Sequence, residues 1–387
     1  MTSSATKPSR ASLFNSFLRL GFTAFGGPSM VAYMRTMAVE QKRWLDEESF
    51  RDGVALCQAI PGATAMQTAA YVGLRARGVS GALVTFVGFG LPAFILMLTF
   101  SAFYPSMHTV PAVASAFSGL QAIIVAIVAN ATVSFGKTAL KNWGTIVIAG
   151  VAAALFGIGM NPLLVIVAAA LFGLVLNKGQ HAAPLVGAPM PSLRTMKPLL
   201  LLSAFTAAVF VLLLLIHRQL FDLAVLMLRI DLFAFGGGFA AVPLMFHEIV
   251  QVRHWMDSST FLNGIALGQV TPGPIVITAT FVGYMLYGLP GGLVATFAVF
   301  SPSFLMVIGV VPYFDRLRAS PYFNRVMSAI LSSFVGLLLT VTVRFASPVP
   351  WDLPHILFFC AALGALLSSV DILWVVLIGT ALSIIVM

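Results

Sequence analysis

The chain has 387 residues, of which 59% are hydrophobic and 9% charged, against roughly 25% charged in a typical water-soluble globular chain, so a soluble fold is excluded. Its formal charge of +9 does not point to nucleic acid, because the basic residues stand singly and in pairs between hydrophobic segments, as topology signals do. Stretches of about 18 to 26 residues nearly free of charge suit helices that cross ~30 Å of hydrocarbon, and no alternating ten-residue pattern suggests a β-barrel.

The N-terminal tail, residues 1–11, carries Lys7 and Arg10. It lacks a small-residue cleavage site after a short apolar core, so no signal peptide is expected and the first helix should be retained. Apolar segments follow at 12–34, 53–74, 80–103, 110–135, 143–159, 161–177, 199–216, 220–246, 262–286, 291–312, 326–346, 354–369 and 371–387. If each crosses and the N-terminus is cytoplasmic, most Lys and Arg fall inside, while Arg35, Lys42, Arg43, Arg218 and Arg344 fall outside, which obeys the positive-inside rule. A second topology makes 53–74 and 262–286 re-entrant hairpins bent at Pro-Gly, and its charge skew favours the opposite orientation. Cys57 and Cys360 both lie in apolar segments, and buried structural thiols are expected at both.

The sequence repeats at a spacing of 210 or 211 residues. Phe25-Gly26-Gly27 recurs as Phe235-Gly236-Gly237, Trp44 and Asp46 as Trp255 and Asp257, and Gln58-x-x-Pro61-Gly62 as Gln269-x-x-Pro272-Gly273. Val72-Gly73, Gly78-x-x-Gly81 and Pro92-x-Phe94 recur as Val282-Gly283, Gly288-x-x-Gly291 and Pro302-x-Phe304. The fold expected is an all-α polytopic membrane protein of two homologous helical units with interrupted helices, a first at 12–177 and a second at 220–387. A linker at 178–219, Pro-rich over 178–198, holds one extra apolar helix. With six crossings per unit, that helix would turn the second unit over and give an inverted repeat, a recurring device of alternating-access transporters.

Arg19 and Arg229 each lie six residues before the Phe-Gly-Gly motif, near mid-segment, where a charge costs about 2.5 to 3.5 kcal/mol on insertion scales. A guanidinium keeps its charge and donates two bonds to one oxyanion, so the pair suggests an anion site; interfacial snorkelling is the plainer alternative. Asp231 has Gly21 as its counterpart, and is read either as an ion-pair partner of Arg19 or as the carrier of a coupling proton. Gly26-Gly27-Pro28 and Gly236-Gly237-Gly238 interrupt helices, and exposed N–H groups at such breaks bind anions; close helix packing is the alternative. Pro61-Gly62 and Pro272-Gly273-Pro274 add a second break per unit, flanked by Gln58 or Gln269 and by Gln67 or Thr278. His247-Glu248 opens like a zinc-protease motif, but Gln251 stands where the second histidine is required, so no metal or other cofactor is expected. Enzymes would need more intramembrane acids than Asp231.

Together, Phe25-Gly26-Gly27-Pro28, Arg43-Trp44-Leu45, Gln58-x-x-Pro61-Gly62 and their second copies resemble the chromate ion transporter family in its long two-domain form, from about residue 12 onward. Ala63 replaces a second proline that the family pattern carries and that Pro274 keeps. The resemblance implies a bacterial inner-membrane exporter of chromate, or of a related oxyanion such as sulfate, driven by the proton motive force. The partners implied are the oxyanion, protons and the bilayer, with no nucleic acid; a homodimer is compatible with the sequence. A passive anion channel and a sulfate uptake transporter are the alternatives. The expected site is Arg19, Gly26, Gly27, Gln58, Pro61, Gly62, Arg229, Gly236, Gly237, Gln269, Pro272 and Gly273, with Asp231 beside it.

Overall fold

Glycine and proline decide where these helices stop, and what they stop against decides the fold. The computed structural model describes residues 8–107, 110–176, 193–314, 317 and 320–387. Most of the proline-rich linker and the tail residues 1–7 lie outside the described residues. The first copy contains α1 (Arg10–Thr23), α2 (Gly27–Arg35), α3 (Glu47–Ala59), α4 (Thr64–Met107), α5 (Pro111–Ala139), α6 (Trp143–Gly157) and α7 (Pro162–Leu176). After α8 (Leu193–Ile216) the series recurs as α9 (Arg218–Phe233), α10 (Gly238–Phe246), α11 (Ser258–Val270), α12 (Thr278–Val310), α13 (Pro321–Ala346), α14 (Leu353–Leu367) and α15 (Ile372–Val386). A π-helical turn extends α2 at Thr36–Gln41 and recurs after α10 at His247–Val252.

The chain forms two compact units, and each draws on both copies: one comprises residues 1–103, 191–241 and 267–312, the other 104–190, 242–266 and 313–387. Within the first, the Pro61-Gly62 break is a reversal. A Cβ on Gly53 would stand 2.0 Å from the Tyr71 ring, and the Tyr71 hydroxyl donates to the Ser49 carbonyl at 3.0 Å. Thus α3 and the first arm of α4, 64–76, lie antiparallel. At 13 residues, α3 is about 20 Å long, too short for ~30 Å of hydrocarbon.

A second reversal follows at Arg77–Gly78, where Gly78 adopts φ +67°, a conformation open to glycine at little cost. It brings the Thr85 hydroxyl to the Ala69 carbonyl at 2.7 Å and sets Gly73 against the Gly81 carbonyl. The long second arm of α4, 79–107, then runs parallel to α1. Arg77 donates to the Pro8 carbonyl at 2.6 Å and Arg10 to the Ser80 hydroxyl at 3.2 Å, while Gly21 packs on the Phe89 carbonyl.

Because α1 and α3 start at the same end, α1 and α2 form a hairpin too. Arg35, Lys42 and Arg43 therefore share the end of Arg10, Arg75 and Arg77, and the expectation that they face the opposite side is corrected. The cause is physical: the breaks at 24–26 and 60–63 turn the chain back instead of letting it cross.

The second copy repeats the reversal at Tyr287–Gly288, with the Thr280 and Thr296 hydroxyls 2.7 Å apart. Its long arm, 289–310, runs antiparallel to that of α4. Phe86 meets Phe304 at 5.0 Å, and Leu98 reaches the place where a Cβ on Gly292 would stand. Helix α8 lies along this arm, with Phe205 on Phe297, Leu199 against Gly309 and His217 on Tyr287.

In the second unit the copies exchange their last hairpins. α6 and α7 pack on α13, while α14 and α15 pack on α5. Small residues permit the contact: Gly173 abuts Ala329, and Gly119 abuts Ser383. Thr132 and Thr342, which are equivalent in the repeat, bring their hydroxyls within 3.3 Å of each other. Arg344 closes the C-terminal end of α6 by donating to the Phe156 carbonyl at 2.6 Å, a favourable place for a cation. Cys57 is buried as expected, but Cys360 is exposed on α14, whose surroundings leave that apolar face uncovered.

Among the described residues five helices are long and apolar enough to cross a membrane. Asp46 caps α3 by accepting from the Ser49 N–H at 2.7 Å and hydroxyl at 2.9 Å, and Asp257 caps α11 through Thr260 in the same way.

Three outcomes follow from this packing and capping. Gly73→Val puts a side chain into the Gly81 backbone, and should abolish a monodisperse peak on size-exclusion chromatography in detergent. Gly150→Ala, where a Cβ meets nothing within 4 Å, should leave that peak unchanged. Asp46→Ala should cost about 1 kcal/mol of stability, read as a lower thermal midpoint. The Ser49 donors hold the Asp46 carboxyl below its usual range, so this contribution is complete above the unfolded carboxylate pKa of about 4. It is lost as pH falls through the lower folded value.

Candidate substrate site at the helix breaks

All four helix breaks meet in the first unit, and each is closed by a break of the other copy. The Gly62 N–H donates to the Ala234 carbonyl at the end of α9, and the Gly273 N–H donates to the Ala24 carbonyl at the end of α1, both at 3.0 Å. These bonds are the same interaction made twice in reciprocal directions. Gly62 has φ +115° and Gly273 φ +108°, which favours glycine at both tips. A Cβ on Gly237, beyond the α9 break, would stand 2.9 Å from the Thr64 hydroxyl that opens α4.

Asp231 occupies the centre of one half of this junction and is 0% exposed. Its Oδ2 accepts from the Ser303 N–H at 2.9 Å and from the Ser303 hydroxyl at 2.7 Å. The Ser303 oxygen in turn accepts from the Ala63 N–H at 2.9 Å, tying the acid to the first hairpin tip. Gln67 Nε2 donates to the Pro61 carbonyl at 2.6 Å, satisfying an acceptor that the break leaves open. Asp231 Oδ1 and Gln67 Oε1 are both buried and have no hydrogen-bond partner. A Cβ on Gly62 would stand 2.2 Å from Ser303 Oγ, 2.7 Å from Gln67 Nε2 and 3.2 Å from Asp231 Oδ2, so Gly62 is also what lets these groups converge.

The other half of the junction holds Gly21 and Ala93 where this half has Asp231 and Ser303, and Gly273 sits against the Ala93 methyl. The site is thus symmetric in backbone and asymmetric in charge. Asp231 is held by Ser303, which is itself tied to Ala63, and makes no ion pair with Arg19.

The remaining expected residues divide. Gly26, Pro61 and Gly236 are half-buried at the breaks, and Gly62, Gly237, Pro272 and Gly273 are buried there; Gly27 begins α2. Gln269 is half-buried, with its Nε2 lacking a hydrogen-bond partner. Gln58 lies outside the junction, exposed in a groove between α2 and α3. Arg19 and Arg229 keep their shared position four residues before the helix end, yet Arg19 is on the exposed face of α1 whereas Arg229 is half-buried. His247, the false start of a zinc motif, hydrogen-bonds Gln251 at 3.1 Å.

Ser303 escaped the sequence reading. Its signal was the variable position of the repeated Pro-x-Phe motif, where Ala93 is replaced by a hydroxyl beside an unmatched acid. Chemically the junction offers a sequestered carboxyl and the N-terminal ends of α2, α4 and α10. Helix N-termini present N–H groups and partial positive charge to anions.

A family model described as chromate transporter matches the chain twice, over residues 11–174 and 221–384. An uncharacterized transporter of Methanocaldococcus jannaschii is 41% identical over 377 residues, covering 97% of this chain and 94% of its own length. The chromate transport protein of Cupriavidus metallidurans is 29% identical, covering 91% of this chain and 86% of its own. That of Pseudomonas aeruginosa is 30% identical, covering 89% and 83%. No solved structure matches. The two copies, their paired breaks and these relatives agree: the chain belongs to the chromate transporter family and is a multi-pass protein of the inner membrane.

Proposed function

We propose that this chain is a secondary active antiporter that exports chromate, or a related divalent oxyanion such as sulfate, in exchange for protons. The observation that carries the reading is the four-break junction with one buried carboxyl. Broken helices that meet between related halves are where transporters hold substrate, and an intramembrane acid is the expected proton carrier. The relatives named chromate transport proteins supply the choice of anion.

In this reading the copies form an inverted repeat, supported by the antiparallel long arms of α4 and α12. Oxyanion binds at the helix N-termini of the junction, with Arg229 and Arg19 offsetting its charge from α9 and α1. Asp231 Oδ1 takes the proton, and rocking of the copies about the reciprocal tip contacts exposes the site to each side in turn. Orientation follows from charge within the first unit. Arg10, Lys42, Arg43, Arg75, Arg77 and Lys197 gather at the end where α1 and α3 begin, while Arg218 stands at the other. By the positive-inside rule the first end is cytoplasmic.

Inside-out vesicles test this with labelled chromate and sulfate under an imposed proton gradient. Gradient-driven chromate uptake, competed by sulfate, is the expected result; downhill flux indifferent to the gradient would instead mark a channel. Asp231→Asn should abolish gradient-driven accumulation while chromate exchange at equal concentrations persists. If that variant still concentrates chromate, Asp231 is not the coupling group. Arg229→Ala should abolish both modes in protein that still inserts and purifies normally; ordinary flux would remove Arg229 from the site.

A further inference from the structure

The two copies differ sharply beside the junction. In the first, α2 and α3 are separated by an open groove of about 410 Å³. One face of α3 lines it: Glu47, Arg51, Val54, Ala55 and Gln58 follow at helical spacing, opposite Val31, Ala32 and Arg35 of α2. The mouth is charged. Arg35 grips Glu47 with two hydrogen bonds, at 2.8 and 2.7 Å, and reaches Glu40 at 2.6 Å. Arg51 is exposed on the same face, and the inner end is Gln58, three residues before the Pro61 tip.

The equivalent positions of the second copy are filled. Phe246 replaces Arg35, Leu262 replaces Arg51, and Ile265 and Ala266 replace Val54 and Ala55, all at 3% exposure or less. Phe246 packs on Phe261 at 5.6 Å and on Phe345 at 4.8 Å, sealing that face with aromatic edges. A symmetric pair of helices therefore carries a wet, charged face in one copy and a dry core in the other.

We propose that the α2–α3 groove of the first copy is the cytoplasmic access path for the anion, with the Arg35–Glu47 clamp at its mouth and Arg51 as the residue that draws anions in. This rests on the anion-transport reading above and on its orientation. Neighbouring carboxylates bear on the choice of Arg51: Glu47 and Glu40 are both hydrogen-bonded by Arg35, whereas Arg51 acts on Glu47 only through its charge. Among the described residues the equivalent face of the second copy is filled, so the cytoplasmic and external routes to the junction differ in chemistry as well as in direction.

The test is thiol accessibility, which needs no transport. In a Cys360→Ala background, with buried Cys57 left in place, Ala55→Cys should react with an impermeant thiosulfonate in inside-out vesicles and stay protected in right-side-out ones. Ala266→Cys should stay protected in both. An anionic thiosulfonate should outpace a cationic one at Ala55→Cys, and adding Arg51→Gln should cut that preference roughly threefold at low salt. Protection of Ala55→Cys in both orientations, labelling only from outside, or a preference indifferent to Arg51→Gln would overturn the proposal. Wild-type vesicles that carry no chromate while Ala55→Cys labels as expected would overturn the transport reading and leave the groove as an anion-accessible cytoplasmic cleft.

Discussion

A broken helix in hydrocarbon leaves N–H and C=O groups that no water can satisfy, each costing several kcal/mol. Here that cost is removed by making the breaks answer one another. The amide of one hairpin tip takes the carbonyl at the end of the other copy's first helix, and the reciprocal bond does the same in reverse. Every break is thus tolerable only while its partner is in place. The close packing of Gly73 on Gly81, the glycine at each tip and the Gln67 bond to Pro61 all serve to bring these ends together.

Onto this symmetric backbone the chain writes an asymmetric chemistry. Asp231 and Ser303 stand where the other copy has Gly21 and Ala93, and Arg35 and Arg51 stand where it has Phe246 and Leu262. Duplication supplies the scaffold; substitution at a few positions supplies a buried acid at the junction and a charged groove beside it. Neither change disturbs the helices, which recur over corresponding positions in both copies.

Much of this was legible beforehand. The ordered motifs exposed the two copies, the extra helix α8 and the sites of all four breaks, since glycine and proline act locally and leave their mark in the sequence. The direction in which the chain leaves a break was not legible. Pro61-Gly62 reads alike in a helix that continues and in one that folds back, and the decision lies in contacts such as Tyr71 with Gly53, eighteen residues apart in sequence. Phe25-Gly26-Gly27 is the same case: read as the middle of one crossing over 12–34, it is where the chain turns back between α1 and α2, and this misplaced Arg35, Lys42 and Arg43. Partner choice was hidden for the same reason: Asp231 finds Ser303 across 72 residues, and nothing local distinguishes that hydroxyl from any other. Cys360 sits in an apolar run that looks like core, but hydropathy does not tell a lipid-facing side from a protein-facing one.

The exchange of final hairpins, α6–α7 onto α13 and α14–α15 onto α5, has a consequence for assembly. Neither copy can cover its own α5 or α13, so one copy alone would present a long uncovered helix face and would have to find a second by collision in the bilayer. Joining the two in one chain turns that search into closure of a loop, which raises the effective concentration of each copy for the other. The fused chain therefore secures the equal ratio of its two unlike halves and their mutual register without relying on expression level. It also frees each half to lose the residues that the other now provides.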